Sequence, residues 1–217
     1  HLNGPPLLSV EPKVPEVRVI EPLGLQVLDE LVYSEQPSTE AAEILRLVKK
    51  LRLQYKSIKN YQSSLTFQHR FVFESFRYEM IRLFTLGLTG FDTPGSVNAI
   101  PEAEAALEGA TEALLAYQPL LESRDEALAE QLQQHIAGAK AFLKDNHDFE
   151  QFDRLEFLRQ HLNPIFKLSL KAQQVLEVEL EEETNSLSNA INYSAENLFA
   201  EDLLNPYYYA NLHEKDI

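Results

Sequence analysis

The stretch FQHRFVFESFRYEMIRLFTLGLTGFDTPG, Phe67 to Gly95, most constrains how this chain can fold. It places six Phe, one Tyr, four basic side chains counting His69, and two Glu in one apparent helix and the turn that ends it. His69, Phe73, Phe76, Met80 and Phe84, at helical spacing, line one face. Arg70, Glu74 and Arg77 line another, at spacings where neighbours on a helix can pair. The pattern predicts a central, mostly buried helix over about Leu65–Leu88 whose polar groups must find partners. Gly87 and Gly90 weaken its end, and Asp92-Thr93-Pro94-Gly95 has the chemistry of a turn.

The remainder also reads as helix. After Pro22, Leu25, Leu28, Leu31 and Val32 fall at helical spacing until Pro37. Ser38 or Thr39 is expected to cap a longer helix with an apolar stripe of Ile44, Leu45, Val48, Leu51 and Tyr55. Arg46, Lys49, Lys50, Arg52 and Lys56 make that helix the one basic stretch in an acidic chain. A helix from about Pro101 to Tyr117 ends before Pro119. Ser123 to Glu126 has the form of a capping box, opening a helix with Leu128, Leu132, Ile136, Ala139 and Leu143 inward. Asp148 with Gln151 gives another start. Asn163-Pro164 gives a fresh first turn, and the pattern then runs to about Glu183.

No convincing strand pattern occurs. The expected fold is therefore all-α: an elongated bundle of about six helices. The expected organisation is a proline-rich extended segment over 1–22, a helical domain over 23–184, and a Tyr- and Asn-rich linker over 185–217.

Composition narrows function. With 217 residues the chain is long enough to bury a core unaided. It has no Cys, which excludes disulfides, thiol catalysis, thiolate metal sites and covalent attachment of a c-type haem. The net charge of −15 repels phosphate backbones and anionic lipid, so nucleic acid is not an expected partner. It suits a basic protein or cations. No Gly-rich phosphate loop or nucleophile signature is present. The six His are scattered without metal-ligand spacing, so no metal site is expected. His69 is the best single candidate for chemistry, with Glu74 and Arg77 as companions that could line a ligand cleft. The opposing reading is that His69 bonds within the core and the charges pair to satisfy their burial.

Four stretches together resemble one family: LNGPPL at Leu2–Leu7, IEPLGLQVLDELVY at Ile20–Tyr33, RLFTLGLTGFDTPGS at Arg82–Ser96, and INYSAENLFAEDLLNPYYY at Ile191–Tyr209. The chain resembles the helical N-terminal region of di-haem cytochrome c peroxidases of the Bacteroidetes type. The resemblance implies a non-catalytic interaction or scaffolding domain within a periplasmic or outer-membrane-associated parent that reduces hydrogen peroxide. The implied partners are the protein's own C-terminal peroxidase domain and an electron-donor protein. The c-type haem belongs to that C-terminal domain, and this chain alone is not expected to be an enzyme. Its opening, HLNGPPLL, reads as a cut into a longer protein. The helical region is also similar to imelysin-type domains, which implies an alternative: iron or a small ligand bound in a cleft of the bundle, lined by His69, Glu74 and Arg77. Their G-x-H-x-x-E motif is not matched, since the sequence around His69 reads F-Q-H-R-F-V-F-E. The sequence leaves the oligomeric state and the identity of the electron donor open.

Overall fold

In a computed structural model, residues 9–13, 16–62, 66, 68–180 and 196–199 are described. The chain is all-α apart from one short two-stranded ribbon, and it forms two compact units. The first comprises His1–Thr66 with Leu86–Ala99, the second Phe67–Thr85 with Ile100–Ile217. The expected linker, 185–217, lies outside the described residues except at 196–199.

In the first unit the described part of the proline-rich segment, 9–13 and 16–22, includes two extended stretches that pair. Strands β1 (Ser9–Lys13) and β2 (Glu16–Ile20) run antiparallel, with Ser9 opposite Ile20 and Lys13 opposite Glu16. Val10, Val17 and Val19 give it β-branched character, while Pro12 and its Val17 partner sit in a ribbon with no interior strand to disrupt. The prolines masked this pattern in the sequence. Helix α1 (Leu25–Val32) follows Gly24, whose φ of 127° suits glycine alone. It packs against α2 (Ala41–Gln62). Thr39 does not cap α2: its hydroxyl donates to the Gln36 carbonyl at 2.7 Å.

The turn after Leu86 is held to α1 by one carboxylate. Asp29 Oδ2 accepts from the backbone N–H of Gly95 at 2.7 Å and of Ser96 at 3.0 Å. A Cβ on Gly95 would stand 2.8 Å from the Asp29 carbonyl oxygen, so close approach, not turn geometry, demands glycine here. Two separate segments of the resemblance, Ile20–Tyr33 and Arg82–Ser96, are thus joined through Asp29. Among the described residues of this unit, Leu23, Leu47, Leu88 and Ala99 are buried and apolar.

In the second unit, α3 (His69–Arg82) ends in a π-helical turn over Leu83–Gly87. It buries Phe73, Phe76, Arg77, Met80 and Ile81 on one face, yet leaves Phe71 and Tyr78 exposed. The centre is a different helix. Helix α8 (Asn163–Val175) buries Ile165, Phe166, Leu168, Ser169, Leu170, Ala172 and Gln173, and packs on α3, α5 (Gln118–Arg124) and α6 (Glu126–Asp145). Helix α4 (Ala99–Leu115) has Glu102 in its first turn, where its charge complements the helix dipole.

Several local signals act differently from their sequence reading. Pro119 opens α5 rather than stopping α4. The cap of α6 is Asp125, whose side chain accepts from Leu128 N–H at 2.9 Å; Ser123 instead donates back to the Leu120 carbonyl within α5. Asp148 makes a turn, accepting from Glu150 and Gln151 N–H, and the next helix, α7 (Arg154–Phe157), is capped by Asp153. A π-helical turn over Leu158–Leu162 carries α7 directly into α8, so Asn163 lies inside helical backbone rather than at a cap. Helix α8 stops at Val175, short of Glu183. Glu177 takes φ 56°, and the N–H of Val178 reaches the Gln173 carbonyl at 3.0 Å, a Schellman ending made without glycine. The stripe of α6 is as expected: Leu128, Leu132, Ala139 and Leu143 are buried. Phe142, Phe152, Phe157 and His161 cluster beside it, with ring centroids 5.1–5.6 Å apart in neighbouring pairs.

Candidate functional site

The residues singled out on α3 reach three different surroundings. His69 opens the helix and is exposed. Its Nδ1 lies 2.8 Å from the Tyr117 hydroxyl, and the two rings meet edge to face at 5.7 Å. Burial pushes the Tyr117 phenol above its usual value, and the His69 tautomer sets which of the two groups donates. Phe73 packs on the other side of Tyr117 with centroids 5.1 Å apart. Tyr117 was not singled out in the sequence; it follows an alanine-rich helix and carries no local mark of its role.

Arg77 is the largest side chain that is fully buried. Its guanidinium donates to the Phe166 carbonyl and, at 3.1 Å, to Ser169 Oγ. It also stacks 3.7 Å over the Phe166 ring. Ser169 in turn donates to the Phe166 carbonyl at 2.8 Å. Burial lowers the Arg77 pKa to about 9, which leaves the side chain charged at neutral pH. A charge held this way anchors α3 to α8. Glu74 is half-buried and lines a surface hollow with Ser75, Tyr78 and Glu79.

Among the described residues no group of three or more His, Asp or Glu is placed to hold a metal ion. None of the described helices is long and apolar enough to cross a membrane. Since the chain has no Cys, covalent c-type haem does not fit it.

The most unusual surface belongs to α2. Of its 22 residues only Leu47 is buried. Of the expected stripe Ile44, Leu45, Val48, Leu51 and Tyr55, Leu45, Val48 and Tyr55 are 44–58% exposed and the other two are half-buried; Leu53 and Ile58, outside it, are 67% and 45% exposed. Leu51, Tyr55 and Ile58 fall on one face at i, i+4 and i+7, and residues 55–62 are exposed throughout. The helix also carries six basic side chains (Arg46, Lys49, Lys50, Arg52, Lys56 and Lys59) against one acid, Glu43. Arg46 is engaged by Glu43 at 2.6 Å and lies 3.8 Å from Glu21; Glu43 lowers its own pKa by this bond and raises that of Arg46.

No family model, no curated protein and no solved structure matches the chain.

Proposed function

We propose that the chain is a non-catalytic interaction and scaffolding domain, the N-terminal region of an exported di-haem cytochrome c peroxidase that works in the periplasm or at the outer membrane. The observation that carries the reading is α2: a long helix with one buried residue, exposing both apolar and basic side chains in a chain of net charge −15. Exposed apolar side chains gathered on one helix support a face that another protein covers. A central apolar strip with a charged rim has the anatomy of a protein–protein interface. Charge selects the occupant: an acidic face with an apolar centre, assigned to the peroxidase domain of the same protein. The other two supports are the four resembling stretches and the use of Arg77 as a core anchor.

Two measurements test this. The reading frame beyond Ile217 is expected to encode a pair of C-x-x-C-H motifs; a stop codon directly after Ile217 overturns the parentage. In the intact protein, Tyr55→Asp with Ile58→Asp is expected to release the peroxidase domain, seen as faster proteolytic separation and a larger hydrodynamic radius. Unfolding of the isolated chain should move by no more than about 0.5 kcal/mol, as for exposed substitutions. Unchanged compactness of the intact variant refutes α2 as the docking face.

A further inference from the structure

A second feature is independent of α2 and of the peroxidase parentage. A cleft of about 540 Å³ opens between α6 and α8 in the second unit. Three cations line it, Arg159, Lys167 and Lys171, in an otherwise strongly acidic chain. Their spacing explains how they meet. Arg159, Asn163, Lys167 and Lys171 recur every four residues. In an uninterrupted α-helix such a row drifts steadily around the axis. Here the π-helical turn over Leu158–Leu162 widens the first step, so Arg159 stays in line with the residues of α8. Insertions of this kind occur frequently at functional sites.

The opposite wall is α6, which contributes Gln131 and His135. The segment at 196–198 closes one end: Glu196 accepts from Lys167 Nζ at 2.6 Å, and Asn163 Oδ1 accepts from Leu198 N–H at 3.2 Å. With Glu196 counted against the three cations, the cleft keeps a formal excess of two positive charges. His135 adds a ring nitrogen and Gln131 an amide that can donate. A guanidinium, an ammonium and neutral donors converging on one cleft match an oxyanion, whose several acceptor atoms need donors from different directions.

We infer that this cleft binds a small dianionic oxyanion, a phosphate monoester or a dicarboxylate. The excess of two charges sets the ligand charge, and the volume admits a small organic body beside the anionic group. Such binding also draws α6, the π-helical turn and α8 together.

Titration calorimetry of the full chain at low ionic strength tests this, with inorganic phosphate and, separately, succinate as probes. Saturable binding of at least one probe is expected. Arg159→Gln with Lys171→Gln, which removes two charged donors, should weaken it at least about tenfold. Lys49→Gln with Lys50→Gln on α2 should leave it unchanged. Binding of phosphate alone assigns a phosphate ester, and binding of succinate alone a dicarboxylate; binding of both supports the shared oxyanion chemistry. Absence of binding by either probe at millimolar concentration overturns the inference. So does equal weakening in the α2 variant, which would mean diffuse charge attraction. Thermal melts of the variants confirm that these exposed substitutions leave the fold intact.

Discussion

Removing the Asp29 carboxylate should unfasten the turn at Gly95–Ser96 from α1. The carboxylate accepts from two backbone N–H groups, at 2.7 and 3.0 Å, in a partly buried setting. A hydrogen bond to a charged group contributes about 1.5–3 kcal/mol net. Water can replace some of the loss at a half-open site, so Asp29→Ala is expected to cost about 2–4 kcal/mol. Gly95→Ala attacks the same junction sterically. The new Cβ would meet the Asp29 carbonyl oxygen at 2.8 Å and Tyr33 Cβ at 3.1 Å. The turn must then retreat from α1 and lengthen the same two bonds, at roughly 1–3 kcal/mol, the usual range for overpacking. Because each change already breaks what the other would break, the double variant should cost less than the sum, by about 1 kcal/mol or more. Urea unfolding of the four proteins, followed by far-ultraviolet circular dichroism, measures the cycle. Additivity within about 0.5 kcal/mol would refute the idea that one carboxylate joins these segments.

Arg77→Ala should destabilise the chain by about 3–5 kcal/mol, since it empties a buried site and removes the donor to Phe166 and Ser169; a loss under about 1 kcal/mol in urea unfolding would contradict its anchoring role. His161 sits against Phe142 and Phe157, and its pKa is lowered by burial first and by the neighbouring His135 second, with Glu156 opposing. A lowered folded-state pKa means the unfolded chain takes up the proton more readily. Stability is therefore full above the unfolded value of 6.5 and falls as pH drops through it toward the folded value. His161→Phe should flatten that dependence in melts recorded across this window, and an unchanged slope would count against the assignment.

The sequence alone determined the all-α class, the existence of α1, the stripe of α6 and the turn at Asp92–Gly95. It also excluded every function that needs Cys. These features are local: periodicity, turn chemistry and composition act within a few residues, so they are legible without knowing what lies across the core. The tertiary structure decided what depends on a partner. Which helix is central could not be read from aromatic density, because burial depends on how many neighbours surround a helix; α8, flanked by α3, α5 and α6, outranks the phenylalanine-rich α3. Arg77 looked like one member of a charged row until Phe166 and Ser169, some ninety residues later, enclosed it. The stripe of α2 is apolar by pattern but largely outward by packing: among the described elements of its unit, α1 is the helix that packs on it. The cation row along α8 needed a π-helical turn, a choice of backbone geometry that the residues of Leu158–Leu162 do not announce. In each case the local pattern supplied the chemistry, and long-range contact decided whether that chemistry became core, anchor or surface.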